Sequence, residues 1–292
     1  LATIKSQEDN LPSYTFKLLY RTLYKTHPYG MPVIGTSDTV AGFKREDIIR
    51  HHEQFFAPDR LVLTIVGDVQ TDYAVTRVKA ALKDFTRPST PLTPPIPEAR
   101  QTDIRKTGAA KEKAQTHIGL GFLGVNIGSD DSYALKTLSE ILAGQGGRLF
   151  VNLRDREGLA YSLSAFSREG VDPGLFGVYI GTAPDKKDAA LSGIMRELAS
   201  ITALKVNDDE LKRAKGSLIG GYTIGLQDVG SQASDMANNE LYGLGYAFSK
   251  ALPEKIQAVT ADDVLRAGKK YITLDAYTIS IVGPETDREN GK

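Results

Sequence analysis

The order of apolar and polar residues along the chain predicts a mixture of amphipathic helices and short strands. Apolar residues recur at the three- and four-residue spacing of a helix face over residues 11–24, 45–56, 71–82, 130–142 and 261–271. Short apolar runs between turn-forming residues predict strands over 61–66, 114–122, 175–180 and 277–282, the first of them buried. Helices and strands are interleaved, so the pattern indicates an α+β fold whose sheets are covered by helices.

A proline-rich segment divides the chain into two parts. Residues 87–97 contain five prolines. Proline has no backbone N–H and a fixed φ, so this segment suits neither a helix nor the interior of a sheet. We therefore predict a first domain over residues 1–86, a linker over 87–101 and a second domain over 102–292.

Six pairs of identical residues lie 216 positions apart on either side of this linker. They are Asp47 with Asp263, Arg50 with Arg266, Asp59 with Asp275, Ile65 with Ile281, Val66 with Val282, and Gly67 with Gly283. Identities at one offset across a helix and a strand indicate two copies of one α/β domain. The first copy would then be incomplete at its front, because only its last ~90 residues precede the linker.

Composition and charge exclude some classes of partner. The chain has 36 basic and 36 acidic residues, and this zero net charge offers no basic footprint for nucleic acid. No apolar run approaches the roughly 20 residues of a transmembrane helix. The chain has no cysteine, which excludes disulfides and cysteine-bound zinc. The absence of cysteine does not distinguish between the bacterial periplasm and the cytoplasm, so both stay open as the compartment.

The segment around Arg154 and Tyr161 carries the most specific chemical pattern. A short helical stripe runs over residues 148–157, and Gly158 falls where a left-handed C-terminal cap is expected. Alternation from residue 159 then predicts a strand, with Tyr161 near its start. A guanidinium and a phenol at one turn could both donate to a substrate carbonyl. Alternatively, Arg154 complements the helix dipole and Tyr161 is an amphipathic sheet residue.

Residues 146–166 resemble the Arg/Tyr segment of the M16 peptidases, the pitrilysin and insulinase-like zinc enzymes. An ordered series of further motifs resembles the back half of an M16 first domain: His27-Pro28-Tyr29-Gly30, Gly35-Thr36, and Ile65-Val66-Gly67-Asp68. The resemblance implies two homologous α/β domains with mainly antiparallel sheets flanked by helices. It also implies that the first domain is incomplete, so the chain is truncated at its N-terminus relative to the family.

The sequence lacks the zinc ligands of the family that it resembles. In M16 enzymes, two histidines of an inverted His-x-x-Glu-His motif bind zinc and the glutamate activates water. This sequence lacks that motif, and its four histidines are His27, His51, His52 and His117. His51 and His52 are neighbours that point about 100° apart on a helix, so they cannot share a metal on one face. We expect no zinc in this chain, and expect the metal in an active partner or upstream domain.

The third zinc ligand of the family, a distal glutamate, is also missing. The resemblance places Thr3 at its position, and a neutral hydroxyl is a poor substitute for a carboxylate on zinc. Glu8 would replace it only if the alignment slipped, and Glu8 lies at a different helical phase.

Three glycines, Gly144, Gly146 and Gly147, follow the helix predicted over 130–142. A phosphate-binding loop would follow a strand and be followed by Lys-Ser/Thr, which is not the case here. In M16 proteins such glycines resemble the flexible loop that borders the peptide cavity. The alternative is a close helix-to-helix turn.

The resemblance therefore implies an inactive M16-like protein that binds extended peptides through Arg154 and Tyr161. It would be the substrate-binding partner of a zinc-bearing M16 subunit, or a homodimer, and the chain alone would have no peptidase activity. Peptide would add a strand to a sheet edge. Two alternatives stay open: a fragment of an active zinc endopeptidase whose His-x-x-Glu-His motif lies upstream of Leu1, and a purely structural subunit like those of respiratory complexes.

Overall fold

The structure, a computed structural model, describes residues 1–86 and 91–285. Residues 87–90 of the predicted linker lie outside this part of the chain. Two compact units are present: Leu1–Ser37, Pro95–Leu218 and Lys255–Lys292 form the first, and Asp38–Pro94 with Ile219–Glu254 form the second. The first 37 residues thus belong with the second half of the chain. The domain boundaries drawn from the linker stay a prediction.

One five-stranded sheet lies in the first unit. Its strands are β1 (Arg105–Ala110), β2 (Thr116–Leu123), β3 (Ser162–Arg168), β4 (Leu175–Thr182) and β5 (Thr278–Gly283). The spatial order is β1-β5-β2-β4-β3. The β1–β5 pair is parallel and the other three pairs are antiparallel, which confirms the mainly antiparallel sheet.

Helices occupy most of the remaining regular structure. In chain order they are α1 (Ala2–Asp9), α2 (Leu11–Leu23), α3 (Ser37–Gly42), α4 (Arg45–Phe55), α5 (Thr71–Ala81), α6 (Asp131–Ala143), α7 (Lys187–Ala203), α8 (Asp208–Gly225), α9 (Val229–Leu241), α10 (Leu252–Ala258) and α11 (Ala261–Tyr271). A π-helix spans Phe150–Arg156, and 3₁₀-helices span Pro28–Gly30, Pro58–Arg60, Pro184–Lys186 and Phe248–Ala251. Within the described ranges, no helix is both long and apolar enough to span a bilayer.

Both faces of the sheet in the first unit are covered. The larger core includes Leu120 and Phe122 of β2, Leu138 of α6 and Val264 of α11. On the opposite face, α2 lies across the strands and contributes Leu19 to a smaller core. The close approach of α2 requires small residues beneath it, because a Cβ on Gly121 would lie 3.2 Å from Leu19. The alternating glycines of β2 therefore make room for the helix.

The predicted buried strand over 61–66 is wrong. These residues form no regular strand, and Leu61, Leu63 and Ile65 are 40%, 55% and 51% exposed. A strand requires a hydrogen-bonded neighbour, and no such neighbour lies beside them in the part of the chain described here. Instead, the Thr64 hydroxyl donates to the carbonyl of Ala233 at 2.8 Å, within the second unit.

Among the elements that the sequence-based prediction missed are α1 and β1. Only one residue of α1, Ile4, is buried, so no apolar stripe marks this helix. Strand β1 reads Arg-Lys-Thr-Gly-Ala-Ala, in which Thr107 is the one β-branched residue and no residue is aromatic, so its composition is not typical of a strand. Both depend on tertiary contacts that the local pattern does not reveal.

The 216-residue repeat is visible in local geometry. The N–H of Lys44 donates to Asp47 at 3.0 Å at the start of α4, and the N–H of Thr260 donates to Asp263 at 3.0 Å at the start of α11. Each of these aspartates also pairs with an arginine one turn later, Arg50 and Arg266. The identical residues therefore build the same helix start twice.

Candidate functional site

Arg154 lies on the exposed side of the π-helix Phe150–Arg156. Its guanidinium carbon is 4.7 Å from the centroid of the Phe150 ring, and the neighbouring Leu153 is fully buried in the larger core. The wide turn is closed by the N–H of Glu157, which donates to the Asn152 carbonyl at 3.0 Å. Buried Leu153 anchors the helix, while Arg154 extends into solvent.

Gly158 ends this helix in the left-handed region, with φ +60°, which confirms the predicted cap. The next N–H, of Leu159, donates to the Leu153 carbonyl at 2.7 Å. The Gly158 carbonyl accepts a hydrogen bond from Lys186 Nζ at 3.0 Å. Backbone bonds therefore hold the turn between Arg154 and Tyr161 at several points.

Tyr161 directly precedes β3, and its N–H donates to the Gly181 carbonyl of β4 at 2.9 Å. Its side chain is 62% exposed. The predicted alternation of β3 is confirmed, because Leu163 and Ala165 pack on the larger core and Phe166 packs on the opposite face with α2.

Arg154 and Tyr161 thus flank one turn. Within the described residues, neither the Arg154 guanidinium nor the Tyr161 hydroxyl forms a hydrogen bond or an ion pair. Their donors are accordingly available to a bound molecule. Joint contact with a peptide stays a prediction.

Gly144, Gly146 and Gly147 connect α6 to the π-helix. Gly146 has φ +76°, and the N–H of Gly147 donates to the Gly144 carbonyl at 2.7 Å. A Cβ on Gly147 would lie 2.9 Å from the backbone N of Ala143. The geometry is that of a tight connection between two helices, and a role at a peptide cavity stays a prediction.

A half-buried ion pair fixes the start of the π-helix segment against α8. Arg148 donates to both carboxylate oxygens of Glu210, at 2.6 and 2.9 Å. Glu210 also accepts from the N–H of Asn207 at 3.1 Å, while its own N–H donates to the Asn207 side chain at 2.9 Å, so the two residues form a capping box at the start of α8. The hydrogen bonds from Arg148 hold the pKa of Glu210 below its usual range.

His117 and His27 are both buried and hydrogen-bonded to protein groups. His117 Nδ1 is 2.6 Å from the Tyr179 hydroxyl, and burial lowers the pKa of His117. His27 Nδ1 accepts from the N–H of Tyr29 at 3.2 Å, so the proton lies on Nε2, which donates to Asp172 Oδ2 at 2.9 Å. The hydrogen bonds of both histidines are with protein groups, which indicates structural roles.

The His27–Asp172 pair belongs to a network that the sequence-based prediction missed. The backbone N–H groups of Thr26 and His27 donate to Glu98 at 2.8 and 3.0 Å. Burial opposes the charged form of Glu98, but these hydrogen bonds outweigh it and lower its pKa. His27 and Asp172 are 145 residues apart, so no local spacing reveals the contact. The one sequence feature that pointed to the region of this network was the motif over residues 27–30.

The described residues do not fit a zinc ion. Among them, no group of three or more His, Asp or Glu side chains is arranged to hold a metal. His51 and His52 lie exposed on α4, where they stack on Phe55 and Phe56. Their contacts are with aromatic rings of the same helix.

Thr3 lies exposed on α1, and the alternative Glu8 is already paired with Lys17 at 2.6 Å. No histidine accompanies either residue in a metal-binding group within the described part of the chain. The prediction that this chain binds no zinc remains a prediction.

Residues 42–218 match the family model described as the peptidase M16 inactive domain. The chain is 30% identical over 296 residues to an uncharacterised zinc protease of Streptomyces coelicolor, an alignment that covers 99% of this chain and 64% of that protein. The chain therefore spans less than two thirds of the length of this relative.

Two solved structures share the fold. A peptidase M16 inactive domain from Pseudomonas fluorescens has a TM-score of 0.87 at 21% identity, covering 98% of this chain and 69% of that one. A protease from Helicobacter pylori has a TM-score of 0.89 at 18% identity, covering 97% and 70%.

Proposed function

This chain belongs to the peptidase M16 family, through the inactive-domain model that spans residues 42–218, and we propose that it binds extended peptides as the non-catalytic partner of a zinc-bearing M16 subunit. The observation that carries the proposal is that the Arg154 and Tyr161 side chains, which have no hydrogen-bond partner among the described residues, lie on a turn whose backbone is held by hydrogen bonds. Donors held in place in this way suit a peptide carbonyl, which is a hydrogen-bond acceptor.

An open sheet edge next to this turn supports the proposal. Strand β3 is the last in the sheet order, so its outer N–H and C=O groups have no strand partner among the described residues. Extended peptides bind such edges through main-chain hydrogen bonds, which tolerate many sequences. A peptide paired with β3 would pass Tyr161 at one end of the strand.

The proposed role leaves cleavage to another subunit, because the described residues bring together no zinc ligands. A second candidate is zinc endopeptidase activity, which is favoured by the similarity to the uncharacterised zinc protease of Streptomyces coelicolor. That candidate requires metal ligands other than those in the described part of this chain. Chelator-sensitive hydrolysis of a peptide by this chain alone would favour it over the proposed role.

Peptide binding by fluorescence anisotropy tests the proposal. A charged hydrogen bond contributes about 1.5–3 kcal/mol, so Arg154→Ala is expected to weaken binding of a labelled extended peptide about 10- to 100-fold. Tyr161→Phe, which removes a neutral donor, is expected to weaken it about threefold to tenfold. Arg156→Ala is the matched control, because Arg156 is an exposed cation two residues away that pairs with Asn152.

Binding that is unchanged in both Arg154→Ala and Tyr161→Phe would contradict the proposal. An equal loss in Arg156→Ala would assign the effect to net charge rather than to the pair, and would also contradict it.

A further inference from the structure

A cavity of about 530 Å³ lies at the far end of β3 from Tyr161. It is bounded by α1, α2, residues 28–34 and the end of β3, all within the first unit. Its apolar lining includes Phe16, Tyr20, Tyr29 and Met31. Ligand sites of 300–1,000 Å³ are typical, so the volume suits one large apolar side chain and its backbone.

Arg168 gives this cavity its charge. The guanidinium lies over the rings of Phe16 and Phe166, at 5.7 and 5.0 Å, and donates to the Tyr20 hydroxyl at 3.3 Å. Within the described ranges, no carboxylate lies within ion-pair distance of it. Lys17, the other cation of the lining, is already neutralised by Glu8 at 2.6 Å. Arg168 is therefore the cation that an incoming anion would meet.

The position of Arg168 places the cavity at one end of β3, the edge strand along which peptide is proposed to bind. Arg168 ends β3 seven residues after Tyr161, and at about 3.3 Å per residue this is roughly 23 Å. Side chains of a strand alternate between faces, so positions seven apart lie on opposite faces of the sheet. Arg168 accordingly lies with Phe166 on the α2 face, where the cavity opens. A peptide along β3 would place alternate side chains on that same face.

We propose that this cavity binds the C-terminal residue of the peptide, with a large apolar side chain among the rings and the α-carboxylate on Arg168. This inference rests on the proposed function, because it assumes that peptide pairs with the β3 edge. A chain-terminal Phe, Leu or Met carries the apolar group and the carboxylate on one carbon atom, which matches the adjacent rings and guanidinium. An internal Asp or Glu supplies the charge but leaves the apolar volume empty.

The test compares three labelled eight-residue peptides that differ only at their last two residues and C-terminal group, since eight residues span from Tyr161 to Arg168. The first ends in Phe with a free carboxylate, the second ends in Phe-amide, and the third ends in Asp-Phe-amide. We expect amidation to weaken binding to the unmodified protein about tenfold or more, because a charge-assisted hydrogen bond is lost. The Asp-Phe-amide peptide is expected to bind as weakly as the Phe-amide peptide.

Substitutions of Arg168 complete the test. Arg168→Gln is expected to reduce binding of the free acid to the level of the amide and to leave amide binding unchanged. Arg168→Lys keeps the charge and is expected to retain most of the preference for the free acid, which separates a binding role from a folding defect. Arg21→Gln, an exposed arginine of α2 that does not line the cavity, is the control.

Two results would overturn the inference and leave the proposed function intact. One is equal binding of the acid and the amide while Arg154→Ala still weakens both. The other is full recovery of affinity by the Asp-Phe-amide peptide, which would assign the cavity to side-chain carboxylates. If none of the three peptides binds, the proposed function fails, and the cavity assignment fails with it.

Discussion

Ile48 and Val264 occupy equivalent positions of α4 and α11, 216 residues apart, yet Val264 is fully buried whereas Ile48 is 59% exposed. The same contrast occurs between Leu63, which is 55% exposed, and Ile279 of β5, which is 3% exposed. The two copies share a helix start and an apolar pattern, but among the described residues only the copy in the first unit has a sheet and helices packed against that pattern. Burial, rather than local sequence, distinguishes the two copies.

The repeat offers a matched pair of substitutions, one at a buried position and one at the equivalent exposed position. Val264→Ala removes two buried methyl groups and is expected to reduce the free energy of unfolding by about 2 kcal/mol. Ile48→Ala is expected to change it by less than about 0.5 kcal/mol, because exposed side chains contribute little. Urea unfolding of both variants checks the pair. A loss from Ile48→Ala as large as that from Val264→Ala would contradict the contrast in burial.

The exposed apolar face of the second unit predicts self-association of the chain. Ile48, Phe56, Leu61 and Leu63 are 40–59% exposed, and exposed apolar side chains in such number promote association. We expect light scattering to show a mass that rises with protein concentration. Leu63→Lys should weaken that rise, whereas Leu204→Lys, at a 64% exposed leucine of the first unit, should not. A monodisperse monomer at high concentration would contradict the prediction.

Asp131, the first residue of α6, is a buried carboxylate that ties this helix to α11. It accepts hydrogen bonds from Lys270 at 2.7 Å, Arg266 at 2.5 Å and the Tyr271 hydroxyl at 2.8 Å. Burial opposes the charged form, but these three hydrogen bonds outweigh burial and hold the pKa of Asp131 well below its usual range. The carboxylate is therefore more acidic in the folded protein than in the unfolded chain.

This lowered pKa predicts a pH dependence with a definite sign. The stabilisation is fully present above the unfolded-state pKa of about 3.9 and is lost as pH falls through the lower folded-state pKa. Asp131→Asn is expected to cost about 2–3 kcal/mol at pH 7, because it leaves charged donors without their acceptor. Chemical unfolding of the unmodified protein and of Asp131→Asn is measured from pH 7 to pH 3. The difference between their free energies of unfolding should shrink below pH 4. A difference that stays constant over this range would contradict the assignment.

Local patterns predicted the helices well where a cap and an apolar stripe coincide. Helix α11 was predicted with its observed bounds from its apolar spacing, and in the structure Thr260 and Asp263 form a capping box at its start. The strand over 61–66 failed although its pattern matches β5, because a strand is decided by its neighbours rather than by its own residues. The same limit explains why β1 was missed.

The candidate site likewise contains features that local sequence predicts and features that depend on long-range contacts. The turn at Gly158 could be predicted, since it depends on residues adjacent in the chain. The contact of His27 with Asp172 joins residues 145 positions apart, and the lining of the cavity near Arg168 combines α1 and α2 with β3. These long-range arrangements follow from the packing of α2 on the sheet, which no spacing in the sequence encodes.

Replacing glycine by alanine is expected to have opposite effects on stability at Gly158 and Gly216. Gly158 has φ +60°, and a Cβ there would meet no atom within 4 Å, so Gly158→Ala adds backbone strain without a clash. The expected cost is about 1–2 kcal/mol. Gly216 lies within α8, where an added Cβ also meets open space. Gly216→Ala is therefore expected to stabilise the protein by up to about 1 kcal/mol, since alanine is the better helix former.

The effect of Gly158→Ala on peptide binding extends this comparison to the site. The left-handed turn sets the direction from Arg154 to Tyr161, so relief of the strain by a change in φ would move the two donors relative to each other. We expect peptide affinity to fall in Gly158→Ala and to be unchanged in Gly216→Ala, by the same anisotropy measurement. Gly158→Asn should lie between Gly158→Ala and the unmodified protein in stability, because asparagine tolerates the left-handed region. Destabilisation without any loss of affinity would show that the turn supports folding alone, and that Arg154 and Tyr161 do not act as a pair.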